Sequence, residues 1–324
     1  MISNYILITL VGGIALSFLL ADPPNRIHPV SWLGKLVNYF MPKLKHKSSL
    51  KKERLKGIVF TLTLTFGISV ASYYFSVALY KIFGIFALLI YSLLVLKFTM
   101  AILTLERHVN AVTNALQEKN LIDARKKLSY IVGRKTEPLD KEHIISATIE
   151  SIGESVVDGI GSPLFYYSLF GPSGAIAYRI INTLDSMIGY TDKYHYEIGW
   201  MAAKLDTISN YLPARLYGLL LVVSAKIVGA DWKNSILVMR MDHNNTPSRN
   251  GGYPMSALAG ALRVRLEKVG FYVLGTNIEP LSIEKCNNAM SMVKLSVILF
   301  LVFVSIPMVL LLSLIGWWDM LYGF

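Results

Sequence analysis

Three carboxylates, Glu150, Glu154 and Asp158, recur at every fourth residue within ATIESIGESVVDGIGSPLF (147–165). On a helix each such step turns the side chain by only about 40°, so the three form one stripe. Ile145, Ile149, Ile152, Val156 and Ile160 then fall on the opposite side. Like charges at this spacing repel, so helix stability gives no reason to stack them. A bound cation, or a substrate with cationic groups, would. The plain alternative is the solvated face of an amphipathic helix. What sets this row apart is its sequel: an apolar stretch cut by Gly161, Pro163, Gly171, Pro172 and Gly174 runs without a polar spacer into Asn182, Asp185 and Ser186.

The elements that hold these residues are apolar. Of 324 residues, 53% are hydrophobic and 16% charged, against roughly 25% charged in soluble domains. Mean hydropathy is +0.47. Segments 2–21, 58–80, 82–96 and 295–316 contain no Asp, Glu, Lys or Arg. About 20 apolar residues cross a bilayer, a length the third segment reaches by running on to 103. The composition therefore predicts an all-α, multi-pass protein of the cell membrane. Four spans are expected, at about 2–21, 58–80, 82–103 and 295–316, with cytoplasmic amphipathic helices between them. The opening segment lacks a basic start and a small-residue cleavage site, so it reads as a retained span. The whole of 1–324 reads as one membrane-embedded domain with polar loops at 22–57, 104–159, 182–215 and 231–292.

Charge distribution orients this picture. The net charge is +11, but residues 43–56 alone hold seven Lys/Arg against one Glu, directly beside a span. That is a positive-inside signature that also suits contact with anionic lipid. The run has no interleaved aromatics, which argues against nucleic acid as a partner. Residues 22–42 carry four prolines together with Trp32, Tyr39 and Phe40, aromatics suited to the membrane interface. The segments 160–181 and 216–230 are interrupted. Either both cross the membrane or both are re-entrant or lie along the interface; the Gly/Pro breaks in the first and the shortness of the second favour the latter. The single cysteine, Cys286, excludes an internal disulfide, and the six scattered histidines offer no i, i+4 metal pair.

DPPNRIHPVSWLGK (22–35) closely resembles the opening signature of the adenosylcobinamide-phosphate synthase family (CbiB/CobD), membrane enzymes of cobalamin biosynthesis. The resemblance continues in order through IVGRKT (131–136), residues 147–165, AYRIINTLDSMIGY (177–190), the run 199–206, LPARL (212–216) and TPSRNGGYPMSALAGAL (246–262). The chain departs from the pattern at Ala21, Lys135, Gly153, Ser155, Thr207 and Arg249. Lys135 and Thr207 each stand where the family usually has a carboxylate, so neither counts as a metal ligand here.

The resemblance implies an ATP-dependent ligase that joins adenosylcobyric acid to (R)-1-amino-2-propanol O-2-phosphate through an amide bond. A carboxylate must be activated before an amine attacks it, most simply as an acyl phosphate, and phosphoryl transfer is helped by Mg²⁺ held on one or two carboxylates. On this footing Glu150, Glu154, Asp158, Asp185 and Asp206 are the candidate Mg²⁺ ligands. Glu154, Asp158 and Asp185 are also the candidate catalytic groups, with metal binding and proton transfer undivided among them. His28, Arg134, Arg179, Asn182, Ser186, Arg215 and Asn250 are the candidates for holding phosphates and substrate. No P-loop is present, so ATP would bind by other means. The resemblance leaves open a homo-oligomer or association with other membrane enzymes of the corrinoid pathway. Two rivals are a transporter for a cation or corrinoid, which would use intramembrane carboxylates as its path, and a non-catalytic AmpE-like membrane protein.

Overall fold

A computed structural model describes residues 2–24, 26–45 and 49–322; residues 46–48 of the basic run and Asn25 of the DPPN motif lie outside it. The helices in chain order are α1 (Ile2–Leu19), α2 (Pro29–Lys45), α3 (Leu50–Phe83), α4 (Ile85–Thr99), α5 (Ile102–Gln117), α6 (Leu121–Leu128), α7 (Lys141–Val156), α8 (Ser162–Phe170), α9 (Pro172–Ile188), α10 (Trp200–Ser209), α11 (Tyr211–Ile227), α12 (Trp232–Asp242), α13 (Arg249–Leu262), α14 (Ile283–Phe300), α15 (Ile306–Leu314) and α16 (Trp317–Tyr322). Between α13 and α14 the short strands β1 (Leu266–Lys268) and β2 (Tyr272–Leu274) pair antiparallel, with Lys268 opposite Tyr272. Apart from this hairpin the described residues build an all-α protein.

Among the described residues three helical stretches are long and apolar enough to cross a membrane: Leu50–Phe83, Ile85–Gln117 and Ile283–Leu314. The fourth expected span is the shorter apolar helix α1. α3 stops at Phe83, and Gly84 separates it from α4. Neither interrupted segment builds a helix of that length. α8 has 9 residues, and α9 and α11 have 17 each.

Chain contacts divide the molecule into two interleaved units. The first comprises Met1–Ala101, Ser162–Asn210 and Phe303–Phe324; the second comprises Ile102–Gly161 and Tyr211–Val302.

In the first unit α9 is the central element, packed by α2, α3, α4, α8 and α10. Its Ile180, Leu184 and Ile188 meet Val37 and Met41 of α2 together with Ile198 and Ala202. Burial of such side chains stabilises the unit by about 1.5–3 kcal/mol each. Elsewhere on α2, Trp32, Tyr39 and Phe40 are exposed, which suits aromatics of a membrane interface.

In the second unit α7 is central, surrounded by α5, α6, α13, α14 and β1. Its start is set by Asp140, whose carboxylate accepts from the His143 amide. Ile145, Ile149, Ile152 and Val156 are buried, as the helical period predicts. α7 meets α13 at Gly153, where an added Cβ would stand 3.1 Å from the Met255 Cα. Glycine lets the two backbones come this near without strain, whereas a Cβ there would press α13 back by a few tenths of an ångström.

Candidate functional site

The acidic stripe is not a uniform face. Glu150 is buried, Glu154 exposed and Asp158 half-buried. The α-helix ends at Val156, and residues Val157–Gly161 form a wider π-type turn, a feature often found at functional positions. Asp158 therefore leaves the straight row that an uninterrupted helix would have given it.

Glu150 is held on all sides. Its Oε1 accepts from Ser146 Oγ at 2.8 Å, and its Oε2 accepts from Arg134 Nη2 at 3.1 Å and from Tyr272 Oη at 2.7 Å. Ser146 in turn accepts from the Glu267 amide at 2.8 Å. The hairpin is thus tied to α7 through Ser146 and Tyr272. Burial and the Glu150 charge push the Tyr272 hydroxyl far above its ordinary pKa, so it stays a donor.

The remaining candidates of this unit gather near α7. An added Cβ on Gly251 would come 3.9 Å from Glu154 Cγ, which places the start of α13 beside that carboxylate. There the buried Asn250 accepts from Arg215 Nη1 at 3.3 Å. Arg215 also donates to the Tyr211 carbonyl at 2.6 Å and lies 3.4 Å above the Tyr211 ring. The Arg215 guanidinium is thereby aimed by stacking and hydrogen bonding at once.

In the first unit the candidates form a second chain of contacts. Arg179 Nη1 donates to Asn182 Oδ1 at 3.4 Å, and Asn182 Nδ2 donates to Asp206 Oδ1 at 3.4 Å. Asn210 Nδ2 donates to Asp206 Oδ2 at 3.0 Å. Burial raises the Asp206 pKa, with the two amides opposing the shift. Ser186 Oγ donates to the Asn182 carbonyl at 2.8 Å, while Asp185 is half-exposed over Gly189. Of the aromatics in the broken segment, Tyr167 is buried against Thr9 and Tyr166 stacks on Tyr178.

His28 sits edge-on to Phe98, and its Nδ1 accepts from the Val30 amide at 3.2 Å. Burial lowers its pKa; Asp22 opposes the shift, and Arg179 and Lys97 add to it. The neutral ring is therefore the native form. The unfolded chain takes up that proton first as pH falls, so stability drops below the ordinary histidine range of about 6.5. His28→Gln should flatten the slope of melting temperature against pH between about 5 and 6.5. An unchanged slope would show that His28 does not carry it.

Sequence reasoning did not find Ser146, Tyr272, Lys268 or the ion pair of Lys97 with Asp22 at 2.5 Å. Ser146 stands four residues before Glu150, so helical spacing could have revealed it. The others are joined only by the fold. Among the described residues of either unit, no three of His, Cys, Asp or Glu gather closely enough to enclose a metal ion.

The sequence profile of the family described as CobD/Cbib protein matches residues 10–313. The chain is 38% identical over 291 residues to the probable cobalamin biosynthesis protein CobD of Methanothermobacter thermautotrophicus, covering 90% of this chain and 94% of the relative. It is 35% identical over 286 residues to the protein of that name from Methanocaldococcus jannaschii, covering 88% and 92%. It is also 38% identical over 275 residues to the cobalamin biosynthesis protein CobD of Leptospira interrogans, covering 83% and 85%. No solved structure matches the chain.

Proposed function

Since this chain belongs to the CobD/Cbib family, a family of cobalamin-biosynthesis proteins, we propose that it is the membrane ligase that amidates a corrinoid carboxylate with an amino-alcohol phosphate. The observation that carries this is the family match over 10–313, which takes in every candidate residue from His28 to Asn250. In the proposed reaction the γ-phosphoryl group of ATP passes to the adenosylcobyric acid carboxylate and ADP leaves. The nitrogen of (R)-1-amino-2-propanol O-2-phosphate then attacks the acyl carbon. The C–O bond breaks, inorganic phosphate departs with the electron pair, and the nitrogen gives its proton to a carboxylate.

Charge neutralisation by Mg²⁺ requires only one or two protein carboxylates beside substrate phosphates. Glu150 does not fit that role, because its two oxygens already receive three donors. Asp206 is similarly engaged by Asn182 and Asn210. Glu154, Asp158 and Asp185 keep the exposure that a cation or a departing proton needs. When bound, Mg²⁺ would lower the barrier to phosphoryl transfer by offsetting negative charge.

Purified protein with Mg-ATP, adenosylcobyric acid and aminopropanol phosphate should form the amide, as read by mass spectrometry. No product, with an active homologue run alongside, would reject the ligase. Uptake of corrinoid into proteoliposomes without ATP or amine would favour the transporter instead.

A further inference from the structure

The loop at 131–134, α7 and the hairpin enclose a cleft of about 80 Å³ lined by Arg134, Glu150, Glu154, Lys268 and Tyr272. That is far below the roughly 300–1,000 Å³ taken by drug-sized ligands, so neither a nucleotide nor a corrin ring fits inside it. Its charges are mixed. Glu150 is already engaged by Ser146, Arg134 and Tyr272. Arg134 spends one nitrogen on Glu150, and a guanidinium has five N–H donors. The Lys268 ammonium lies 5.0 Å over the Phe271 ring, and no carboxylate pairs with it among the described residues. Glu154 stands exposed at the same cleft. A free phosphate would be drawn by the two cations and repelled by Glu154. A small molecule with a phosphate at one end and an ammonium at the other meets both demands.

We propose that this cleft is the subsite for the amino-alcohol phosphate. Arg134 and Lys268 take its phosphate, and Glu154 takes its ammonium. This rests on the ligase reading and names the part of the protein that holds the smaller substrate. Glu150 and Tyr272 are positioning residues that aim Arg134. The carboxylate that binds the ammonium is then at hand for the proton the nitrogen sheds.

The test is calorimetric titration of the full-length protein, without ATP or corrinoid, with three probes: aminopropanol phosphate, isopropyl phosphate (no amine) and 1-amino-2-propanol (no phosphate). Aminopropanol phosphate should bind most tightly. Lys268→Gln should weaken both phosphate-bearing probes at least about tenfold. Glu154→Gln should weaken aminopropanol phosphate and leave isopropyl phosphate unchanged or tighter. Wild-type binding that neither substitution alters would overturn the subsite, as would no binding by the wild type. If the wild type makes amide while Lys268→Gln keeps the same KM for the amine, the subsite is wrong and the ligase stands. Binding that depends on Lys268 and Glu154 without any amide product would instead uphold the subsite and reject the ligase.

Discussion

Glu150→Ala is expected to cost about 3–5 kcal/mol of stability, the usual penalty for removing one partner of a buried ion pair. The pair is well enclosed: the Arg134 and Glu150 side chains are 15% and 6% exposed. Removing the carboxylate leaves the Arg134 guanidinium buried without its counter-charge, and Ser146 and Tyr272 each lose an acceptor. The second substitution decides the cause. Adding Arg134→Met to Glu150→Ala should recover much of the loss, because replacing both charges by apolar groups is often near neutral. Thermal unfolding in detergent, with and without Mg²⁺, reads the outcome. If Glu150 were chiefly a metal ligand, Glu150→Ala would leave the melting temperature nearly unchanged without Mg²⁺ and abolish any Mg²⁺-dependent gain. That result would remove Glu150 from the structural role argued for it.

How much of this was legible beforehand depends on the range of the interaction. The buried side of α7 followed from spacing, since helical period reports directly which residues share a face. The break between α8 and α9 at Gly171 followed from Gly-Pro, and the exposed aromatics of α2 from their placement beside a span. Period does not report what a face is buried against. The row Glu150, Glu154, Asp158 looked equivalent in one dimension, yet Arg134, Ser146 and a tyrosine 122 residues further on clasp the first of them, which is buried, while Glu154 is exposed. The π-type turn after Val156 was equally hidden, because one wider turn leaves no mark on composition. The two units were hidden for a related reason: each is assembled from separated chain segments, and the polar–apolar borders near 103 and 160 do not say which of those segments pack together. The hairpin carried a weak signal, with Gly270 directly ahead of Phe271, Tyr272 and Val273, but strands of three residues are below what alternation can establish.

Gly189→Ala is expected to reduce turnover nearly as much as Asp185→Asn, although residue 189 carries no reactive group. An added Cβ there would lie 1.9 Å from Asp185 Oδ1 and 2.7 Å from the Asp185 carbonyl oxygen. The carboxylate is the flexible end of that contact, so it would swing to another rotamer while α9 stays folded. Gly189 itself has φ −75, a value alanine adopts freely, so the dihedral carries no strain, but the Asp185 carbonyl is backbone and the end of α9 must give slightly to seat the Cβ. If Asp185 acts as a proton acceptor, or holds a cation on the reacting phosphate, its removal as Asp185→Asn should lower kcat by about 10²–10⁴-fold, with the protein still inserted and monodisperse. Gly189→Ala should follow it in kcat, with little change in KM for the amine. The melting temperature of both variants separates geometry from damage. Full activity in Gly189→Ala with a displaced carboxylate would mean that Asp185 does no chemistry. The catalytic carboxylates would then have to be sought on α7 and its π-type turn alone.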